Sequence, residues 1–489
     1  MFKKLLSGLF WVLLLNLIVK PFWIFGIEVG VQNAVGAEMY GFYFAVFNMA
    51  YIFNILLDIG ITNFNTRNIS QFPDRIRRNV PDMLAIKFIL LAFYLVATFS
   101  VGLLCGYDSR QFYFLAWLCV NQFLNSLILY LRSNFEGLFL FKWDSLLSVL
   151  DRLVMILVCG VLIWGPWQSR FKIEWFIYAQ TLAYLVTLAV AAVVLFGKVG
   201  FVRPRLRRRY AANILKNSMP FALLVLLMAS YNRIDPILLQ YISADGSLQS
   251  GIYAGAFRLL DAMTMFAYLI SVPLLPVYAR LCKNAHLHKS KKEIQSTTRV
   301  LFSMATVLLL PVACSLSALS FPVMDLLYSE NVDTMASVFS VLVWGIVPIT
   351  YTYIFGTLLT ANGSLGTLNR LSVATLAINI IINLILIPKW GALGSAMASL
   401  SAQSFVALAQ ILVVVRIFNI PFNVYYILKL TLFTLLVILF NGQLMQAYMC
   451  GAITWWLHLA VLVVLALLLG CLLRLININE WIILKNNNR

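Results

Sequence analysis

Long apolar segments recur along the whole chain, and short polar stretches separate them. A helix needs about 20 mostly apolar residues to cross a bilayer, and fourteen segments meet that length. They are 5–27, 40–62, 83–104, 112–131, 146–165, 174–196, 217–241, 250–278, 299–319, 335–359, 368–388, 392–415, 424–441 and 454–474. The pattern predicts an all-α polytopic membrane protein with about 14 transmembrane helices. The eleventh and twelfth are separated only by a short turn around Pro388, Lys389 and Gly391.

The composition excludes a soluble protein. Of the 489 residues, 62% are hydrophobic and 11% are charged, whereas soluble domains carry about 25% charged residues. An ordinary soluble enzyme, a disordered chain and a disulfide-stapled scaffold are therefore excluded. Lys and Arg outnumber Asp and Glu by 36 to 18, which gives a formal net charge of +18. In a soluble protein this excess would suggest a nucleic-acid partner. In a membrane protein its meaning depends on where the charges lie relative to the bilayer.

The basic residues are concentrated in alternate loops, and this gives the orientation of the helices. The segments 197–216 and 279–299 are rich in Lys and Arg, whereas the loop with Asp325, Glu330 and Asp333 is acidic. Cytoplasmic loops carry the excess of Lys and Arg, so both termini are predicted to be cytoplasmic and the number of helices even. Most of the net charge of +18 is then explained by basic loops that lie on the cytoplasmic side, next to the anionic inner leaflet. No nucleic-acid partner is expected.

Short motifs recur in the two halves of the chain and indicate an internal repeat. The matched residues are Gly41 with Gly251, Tyr43 with Tyr253, Phe47 with Phe257 and Lys20-Pro21 with Asp235-Pro236. Both members of each pair run the same way through the membrane, so the repeat predicts two parallel, pseudo-symmetric six-helix lobes plus two C-terminal helices. Chance matching in an apolar sequence is the alternative. The predicted parts are the N-lobe at 1–196, a basic cytoplasmic linker at 197–216, the C-lobe at 217–416, and the last two helices with a cytoplasmic tail at 417–489.

Ten charged residues fall inside the predicted helices, where each costs about 2.5–3.5 kcal/mol at the bilayer centre. They are Lys20, Asp58, Lys87, Asp151, Arg152, Arg233, Asp235, Arg258, Asp261 and Lys429. At about 1.5 Å of rise per residue, the members in the outer half of the membrane are Lys20, Arg233, Asp235, Arg258 and Asp261. Lys87 and Lys429 lie close enough to an inner end to extend their ammonium groups to the interface.

These charges predict a cationic cavity for an anionic substrate, because Arg binds phosphate bidentately and Lys binds it as a point charge. The candidate substrate contacts are Lys20, Arg152, Arg233 and Arg258. The candidate charge partners or protonatable coupling sites are Asp58, Asp151, Asp235 and Asp261, of which Asp58 is favoured as structural. The alternative is that all of these charges form internal ion pairs that fix helix packing.

Polar residues, prolines and missing motifs complete the functional prediction. Asn121 and Asn125 share a helix face; they would bond sugar hydroxyls or, as the favoured alternative, neighbouring helices. Prolines that can kink helices for alternating access are Pro21, Pro220, Pro236, Pro273, Pro276, Pro311 and Pro348. The sequence has no catalytic, nucleotide or metal motif. It therefore predicts a transporter without a cofactor, with H⁺ or Na⁺ as candidate coupling ions.

Two motifs resemble the Wzx-type flippases that export polysaccharide units. Arg233, Asp235, Leu238 and Leu239, followed by Gly251, Tyr253, Arg258 and Leu259, resemble their R-x-D-x-x-L-L…G-x-Y-x-x-A-x-R-L pattern. Asn379, Asn383 and the run 386–396 resemble their N-x-x-x-N-x-x-L-I-P-x-x-G-x-x-G-A-A signature, the more specific of the two. The similarity covers essentially the whole chain. This family belongs to the MOP (multidrug/oligosaccharidyl-lipid/polysaccharide) superfamily, which also holds the lipid II flippases and the MATE multidrug exporters.

The resemblance implies a MATE/MOP-like fold of two six-helix lobes around a cationic cavity. It also implies a monomer that moves undecaprenyl-diphosphate-linked oligosaccharide from the inner to the outer leaflet of a bacterial inner membrane. Lys20, Arg233 and Arg258 are then diphosphate contacts, and a polysaccharide polymerase and a chain-length regulator are the expected partners. Lipid II is less favoured as substrate, because only Lys20 stands where the lipid II flippases usually carry several arginines.

Two other functions compete with the flippase. An ion-coupled multidrug exporter of the MATE type would prefer an anionic or apolar cavity, and Lys20, Arg233 and Arg258 argue against one. A membrane polymerase or acyltransferase would be expected to carry a long loop or a cluster of acidic residues, which this sequence lacks. The flippase is therefore the favoured prediction.

Overall fold

The computed structural model describes residues 19–200, 208–283, 288–420 and 423–475, and within them the regular structure is helical, with no strand. The helices of the N-terminal half are α1 (Val19–Leu57), α2 (Ile61–Gln71), α3 (Ile76–Leu104), α4 (Ser109–Gly137), α5 (Phe141–Trp164), α6 (Ile173–Val199), α7 (Arg208–Arg233) and α8 (Asp235–Ile242). Those that follow are α9 (Gly246–Lys283), α10 (His288–Ala318), α11 (Ser320–Leu327), α12 (Val332–Ala361), α13 (Leu365–Phe418), α14 (Val424–Met449) and α15 (Trp455–Leu472).

The helices are long and apolar enough for a multi-pass membrane protein, as predicted. Ten helices of the described ranges can cross a membrane, or eleven if α7 and α8, bent by 48° beside Pro236, form one span. Pro311, in contrast, lies inside α10, which continues past it. Residues 1–18, most of the predicted first span at 5–27, lie outside the described residues. The number fourteen stays a prediction.

Two of these helices contain a backbone break and so account for more than one predicted span each. In α13 the break is at Gly391, with φ 51° and ψ −128°. Positive φ favours glycine, and this is the turn predicted between the eleventh and twelfth spans. In α1 the break is at Gly36, with φ 81° and ψ 160°. A seven-residue π-helix, Phe22–Glu28, begins directly after Pro21 and lies before that break.

The chain divides into two compact units, Met1–Gly251 and Ile252–Arg489. In the first unit α4 packs against α1, α2, α3, α5 and α6. Its N-terminus is fixed by a capping box, in which Asp108 accepts from the Gln111 N–H and Gln111 accepts from the Asp108 N–H. Such reciprocal bonds satisfy two backbone donors at the helix start. The predicted lobes, divided at 197–216, follow the sequence repeat and stay a prediction.

Helix α2 is a correction to the predicted second span. That span was expected to reach residue 62, but α1 ends at Leu57, a turn follows, and α2 begins at Ile61. Helix α2 lies against α4, where Asn65 donates to Ser133 Oγ at 2.8 Å and to Asn134 Oδ1 at 3.0 Å. The polar face that made the segment look like a loop is the face that bonds α4.

The second unit is built around α10, which packs against α12, α14 and α15. Helix α15 approaches α10 closely at Gly470, where a Cβ would lie 2.7 Å from Val307 Cγ1. Phe433 of α14 is buried in the same core. The short helix α11 falls in a segment predicted as a loop; its residues Val323 and Met324 are buried, which stabilises a helix too short to be recognised by length.

The residues of the sequence repeat have matching surroundings. The rings of Tyr43 and Phe47 lie 5.9 Å apart, and those of Tyr253 and Phe257 lie 5.6 Å apart. Gly41 lies directly against the backbone of Ser247 and Gly251, where any Cβ would overlap the Ser247 carbonyl oxygen. Glycine at this position therefore permits a backbone contact that another residue would prevent.

Candidate functional site

The buried charges of the first unit include a closed ion pair between Asp58 and Lys87. Lys87 Nζ lies 2.7 Å from Asp58 Oδ1, 2.9 Å from the Leu57 carbonyl oxygen and 2.9 Å from Ser126 Oγ. The Lys87 side chain is 0% exposed. Asp58 also accepts from the Thr62 hydroxyl. All the hydrogens of the ammonium are thus directed at oxygen atoms of the protein.

This geometry corrects the prediction for Lys87, whose ammonium was expected to extend to the membrane interface. The ammonium is enclosed instead, because Asp58 in the turn before α2 accepts its bond at 2.7 Å. Lys429, the other residue of that prediction, is half-buried near the start of α14, with Nζ 4.6 Å from the Tyr425 ring centroid. Distance along a helix did not distinguish the two.

Arg152 of α5 lies among aromatic rings rather than in a closed ion pair. Its guanidinium carbon is 4.9 Å from the Trp23 ring centroid, and its Nε is 3.7 Å from Asp151 Oδ2. Trp23 stacks on Phe176 of α6, which in turn meets the Tyr43 ring. The Arg152 side chain is 29% exposed. A guanidinium held on a ring face keeps its in-plane N–H groups directed outward.

Lys20 belongs to the same group of charges. It is half-buried in the first turn of α1, and it is close enough to Arg152 and Asp151 for their charges to act on its ammonium. Glu28 acts in the same way on Arg152. The structure therefore brings together three of the predicted site residues, Lys20, Asp151 and Arg152, in one mixed-charge cluster on α1 and α5.

Arg233 and Asp235 lie on either side of the bend between α7 and α8. The Arg233 guanidinium carbon is 5.1 Å from the ring centroid of Tyr51 in α1. Asp235 is fully buried in the first turn of α8, where the positive end of a helix favours a carboxylate. Arg233 is the last residue of α7 and Asp235 is the first residue of α8, so the two belong to different helices.

Arg258 and Asp261 belong to the second unit. Arg258 Nη1 donates to the Tyr328 hydroxyl at 2.8 Å, and that hydroxyl donates to the Gly255 carbonyl oxygen at 3.2 Å. Arg258 is 6% exposed. Asp261 is half-buried three residues further along α9. The Tyr328 hydroxyl is thus one of the groups that orient Arg258.

Asn121 and Asn125 differ in their surroundings. Asn121 is buried between α4 and α6; its Nδ2 donates to Gln180 Oε1 at 3.2 Å, and its Oδ1 accepts from the Thr181 hydroxyl at 2.7 Å. These bonds occupy its amide in helix packing, which was the favoured alternative for this residue. Asn125 is half-buried.

A separate apolar groove lies between α5 and α6, with a volume of about 520 Å³. Aromatic side chains line it, including Trp167, Trp175 and Tyr178, together with Val158 and Leu162. The candidate cations are not part of this lining. The groove therefore offers space for hydrocarbon, apart from the candidate cations.

The sequence interpretation missed the aromatic partners of the candidate arginines. Trp23, Tyr51 and Tyr328 hold Arg152, Arg233 and Arg258, respectively. Each is distant in sequence from its arginine, and aromatic residues are so numerous in the chain that most were assigned to interface belts. Only Trp23 could have been recognised from the sequence, because it stands three residues after Lys20 and so shares its helix face.

The fold defines an all-α, multi-pass membrane protein, and comparison with known proteins gives its family. The model of the polysaccharide biosynthesis protein family matches residues 5–282, more than half of the chain. The chain therefore belongs to the polysaccharide biosynthesis protein family. Two curated proteins of Methanocaldococcus jannaschii are similar along much of their length. "Uncharacterized membrane protein MJ1375" is 25% identical over 62% of this chain and 72% of its own, and "Uncharacterized membrane protein MJ1068" is 20% identical over 94% of both.

Solved structures confirm the predicted MATE/MOP-like fold. An inward-closed lipid II flippase MurJ superposes with a TM-score of 0.66 at 14% identity, covering 94% of this chain and 98% of its own. An inward-facing MATE family multidrug resistance transporter gives 0.61 at 14% identity, with 81% and 94% covered. A MOP superfamily transporter from Pyrococcus furiosus gives 0.56 at 16% identity, with 83% and 94% covered. At these identities the likeness concerns the fold.

Proposed function

We propose that the protein is a flippase that moves undecaprenyl-diphosphate-linked oligosaccharide from the inner to the outer leaflet by alternating access. The observation that carries the proposal is the way its intramembrane arginines are held. Arg152 and Arg233 lie on aromatic rings, and Arg258 donates to a tyrosine hydroxyl. An aromatic ring or a hydroxyl orients a guanidinium without neutralising its charge, which suits the binding of an anionic substrate.

A diphosphate is the anionic group that best fits this arrangement. The fork of N–H donors on Arg matches two phosphate oxygens, and such charge-assisted bonds are the strong ones. Lys20 adds a point charge within electrostatic range of Arg152. Asp151, at 3.7 Å from Arg152 Nε, is too far for a hydrogen bond, so a phosphate can compete for the guanidinium. Family membership in polysaccharide biosynthesis supports a sugar-bearing lipid as the carrier of that diphosphate.

The remaining parts of the proposal concern the cellular setting. The protein acts as a monomer in a bacterial inner membrane with both termini cytoplasmic, and it delivers its substrate to a polysaccharide polymerase and a chain-length regulator. Asp235 and Asp261 are the proposed places for proton or sodium coupling, or for holding an arginine. Genes for glycosyltransferases and a polymerase next to this gene would support the setting, and a lone gene beside a drug-responsive regulator would contradict it.

A MATE-type multidrug exporter is the second candidate, favoured by the fold shared with a MATE transporter at a TM-score of 0.61. Its substrates are named as drugs, and cationic drugs would be repelled by Lys20, Arg152 and Arg233. The two functions therefore predict opposite charge preferences for the substrate.

A reconstitution experiment separates the two functions. The purified protein is placed in liposomes that contain a fluorescent undecaprenyl-diphosphate oligosaccharide, and a membrane-impermeant lectin reports how much has reached the far leaflet. Liposomes loaded with a cationic dye measure drug export by the same preparation. We expect transfer of the lipid-linked sugar above protein-free liposomes and no dye export. Dye export without lipid transfer would overturn the flippase proposal in favour of the exporter.

A further inference from the structure

Three oxygen atoms from different parts of the first unit converge on the ammonium of Lys87. They are the Leu57 carbonyl oxygen at 2.9 Å, Asp58 Oδ1 at 2.7 Å and Ser126 Oγ at 2.9 Å. Leu57 ends α1, Asp58 lies in the turn before α2, and Ser126 is in the middle of α4. With the Lys87 side chain 0% exposed, the ammonium is enclosed by protein.

The chemistry of this oxygen set is that of a cation site. A carbonyl, a carboxylate and a hydroxyl are the hard oxygen donors that protein-bound alkali and alkaline-earth cations take. A single carboxylate balances a single positive charge, which favours a monovalent cation over a divalent one. We infer that Leu57, Asp58 and Ser126 form a monovalent-cation site and that Lys87 fills it with its own ammonium.

Bonds other than those of the ammonium also position these oxygens. Ser126 Oγ donates to the Leu57 carbonyl oxygen at 3.1 Å, and Asp58 accepts from both the hydroxyl and the backbone N–H of Thr62. These bonds hold two of the oxygens together and orient the third. An ammonium or potassium ion, which are similar in size, can therefore be recognised by the same positions once the lysine stem is removed.

Filling the site from within the chain has a consequence for α2. The ammonium joins the end of α1 and the start of α2 to α4, and α2 continues along α4 through Asn65. A bound ion would make this junction depend on the salt composition of the cytoplasm. A lysine on α3 makes it independent of free cations, so Lys87 is a positioning residue for the junction.

Chemical rescue tests the inference. Lys87→Ala removes the stem and the ammonium and leaves space for a small cation. The apparent melting temperature of the purified variant is measured in detergent with methylammonium, potassium, sodium or choline chloride at equal concentration. We expect methylammonium and potassium to restore at least half of the loss in a saturable way, because a ligand of the folded state stabilises it by mass action. Choline, which is too large, should restore nothing, and the wild type should not distinguish the four salts.

Two further variants make every result decisive. Lys87→Met keeps the stem and fills the space, so no salt should rescue it. If Lys87→Ala does not accumulate in membranes, its level is compared with that of Lys87→Ala combined with Asp58→Asn, which removes the unbalanced carboxylate. Recovery in the double variant supports the site. A folded Lys87→Ala that treats all four salts alike, or a double variant that accumulates no better than the single one, overturns it.

Discussion

Two ion pairs in the first unit each join a carboxylate to a cation, but they hold the cation in different ways. Asp58 and Lys87 lie 2.7 Å apart, and the lysine is enclosed and bonded to two further oxygens. Asp151 and Arg152 lie 3.7 Å apart, and the arginine is 29% exposed on the face of Trp23. The first pair uses every donor internally. In the second, Arg152 Nε lies beyond hydrogen-bond distance of Asp151, and the guanidinium lies on the Trp23 ring.

We expect this difference to separate charges that hold helices from charges that meet a ligand. A buried ammonium with three oxygen partners has nothing left to offer to a substrate. An arginine held by a ring keeps its charge and its donors, because a π face attracts a cation without accepting its hydrogens in the plane. The prediction that each intramembrane cation serves either the substrate or packing can therefore be tested residue by residue.

The largest expected effect comes from removing the carboxylate of the closed pair. Asp58→Asn leaves the Lys87 ammonium buried without a counter-charge, and breaking a buried pair in this way costs about 3–5 kcal/mol. We expect the variant to accumulate poorly in membranes and to melt well below the wild type in detergent.

Asp151→Asn is the matched control for that experiment. Its pair is longer than a hydrogen bond, so the same isosteric change should cost less than about 1 kcal/mol. Thermal unfolding of the two purified variants measures the contrast. Equal destabilisation by both substitutions would show that the two pairs do not differ in the way their geometry indicates.

The next largest effect concerns transport rather than stability. Arg258→Ala removes the guanidinium that Tyr328 positions, and losing a buried charged contact to a phosphate costs about 2 kcal/mol or more, or about 30-fold in binding. We expect transfer of the lipid-linked sugar in liposomes, and surface polysaccharide in cells, to be lost while the protein still inserts. Normal polysaccharide with Arg258→Ala would remove Arg258 from the substrate site.

A smaller effect is expected from keeping the charge of Arg152 while changing its shape. Arg152→Lys retains the positive charge but loses the bidentate fork and the stacking on Trp23, which is worth about 1 kcal/mol, or about fivefold. Initial rates of lipid transfer measure this loss, with melting temperature as the control for folding. A variant that loses as much as Arg152→Ala would show that geometry, and not charge, dominates at this position.

Much of the fold follows from the sequence because hydropathy and helix-breaking residues act locally. The apolar segments predict the helices, and Pro388 with Gly391 predicts the turn that the structure has at Gly391. Helix α2 was missed because its apolar residues are few and it is stabilised by bonds to α4, such as that of Asn65 to Ser133. Local patterns contain no information on such a partner.

The site could be predicted only in part, for a related reason. Charge inside an apolar segment identifies Arg152, Arg233 and Arg258 as unusual, but their orientation depends on Trp23, Tyr51 and Tyr328, which are distant in the chain. Likewise, the depth of Lys87 along its helix is readable from the sequence, whereas the oxygens that enclose it come from α1, the turn before α2, and α4. Burial of a charge is decided by tertiary partners.

The smallest expected effect tests whether stacking on a ring is sufficient for function. Arg110 lies over Phe42 and Phe114 at 5.4 and 5.8 Å, much as Arg233 lies over Tyr51, but it is 52% exposed at the start of α4 and 3.4 Å from Glu174. Exposed pairs of this kind contribute little. Arg110→Gln should therefore change stability by less than about 0.5 kcal/mol and leave lipid transfer unaltered, whereas Arg233→Gln should reduce transfer. The two arginines share the same kind of ring contact. An equal loss of lipid transfer in both variants would therefore mean that an arginine need not lie inside the membrane to contribute to transfer.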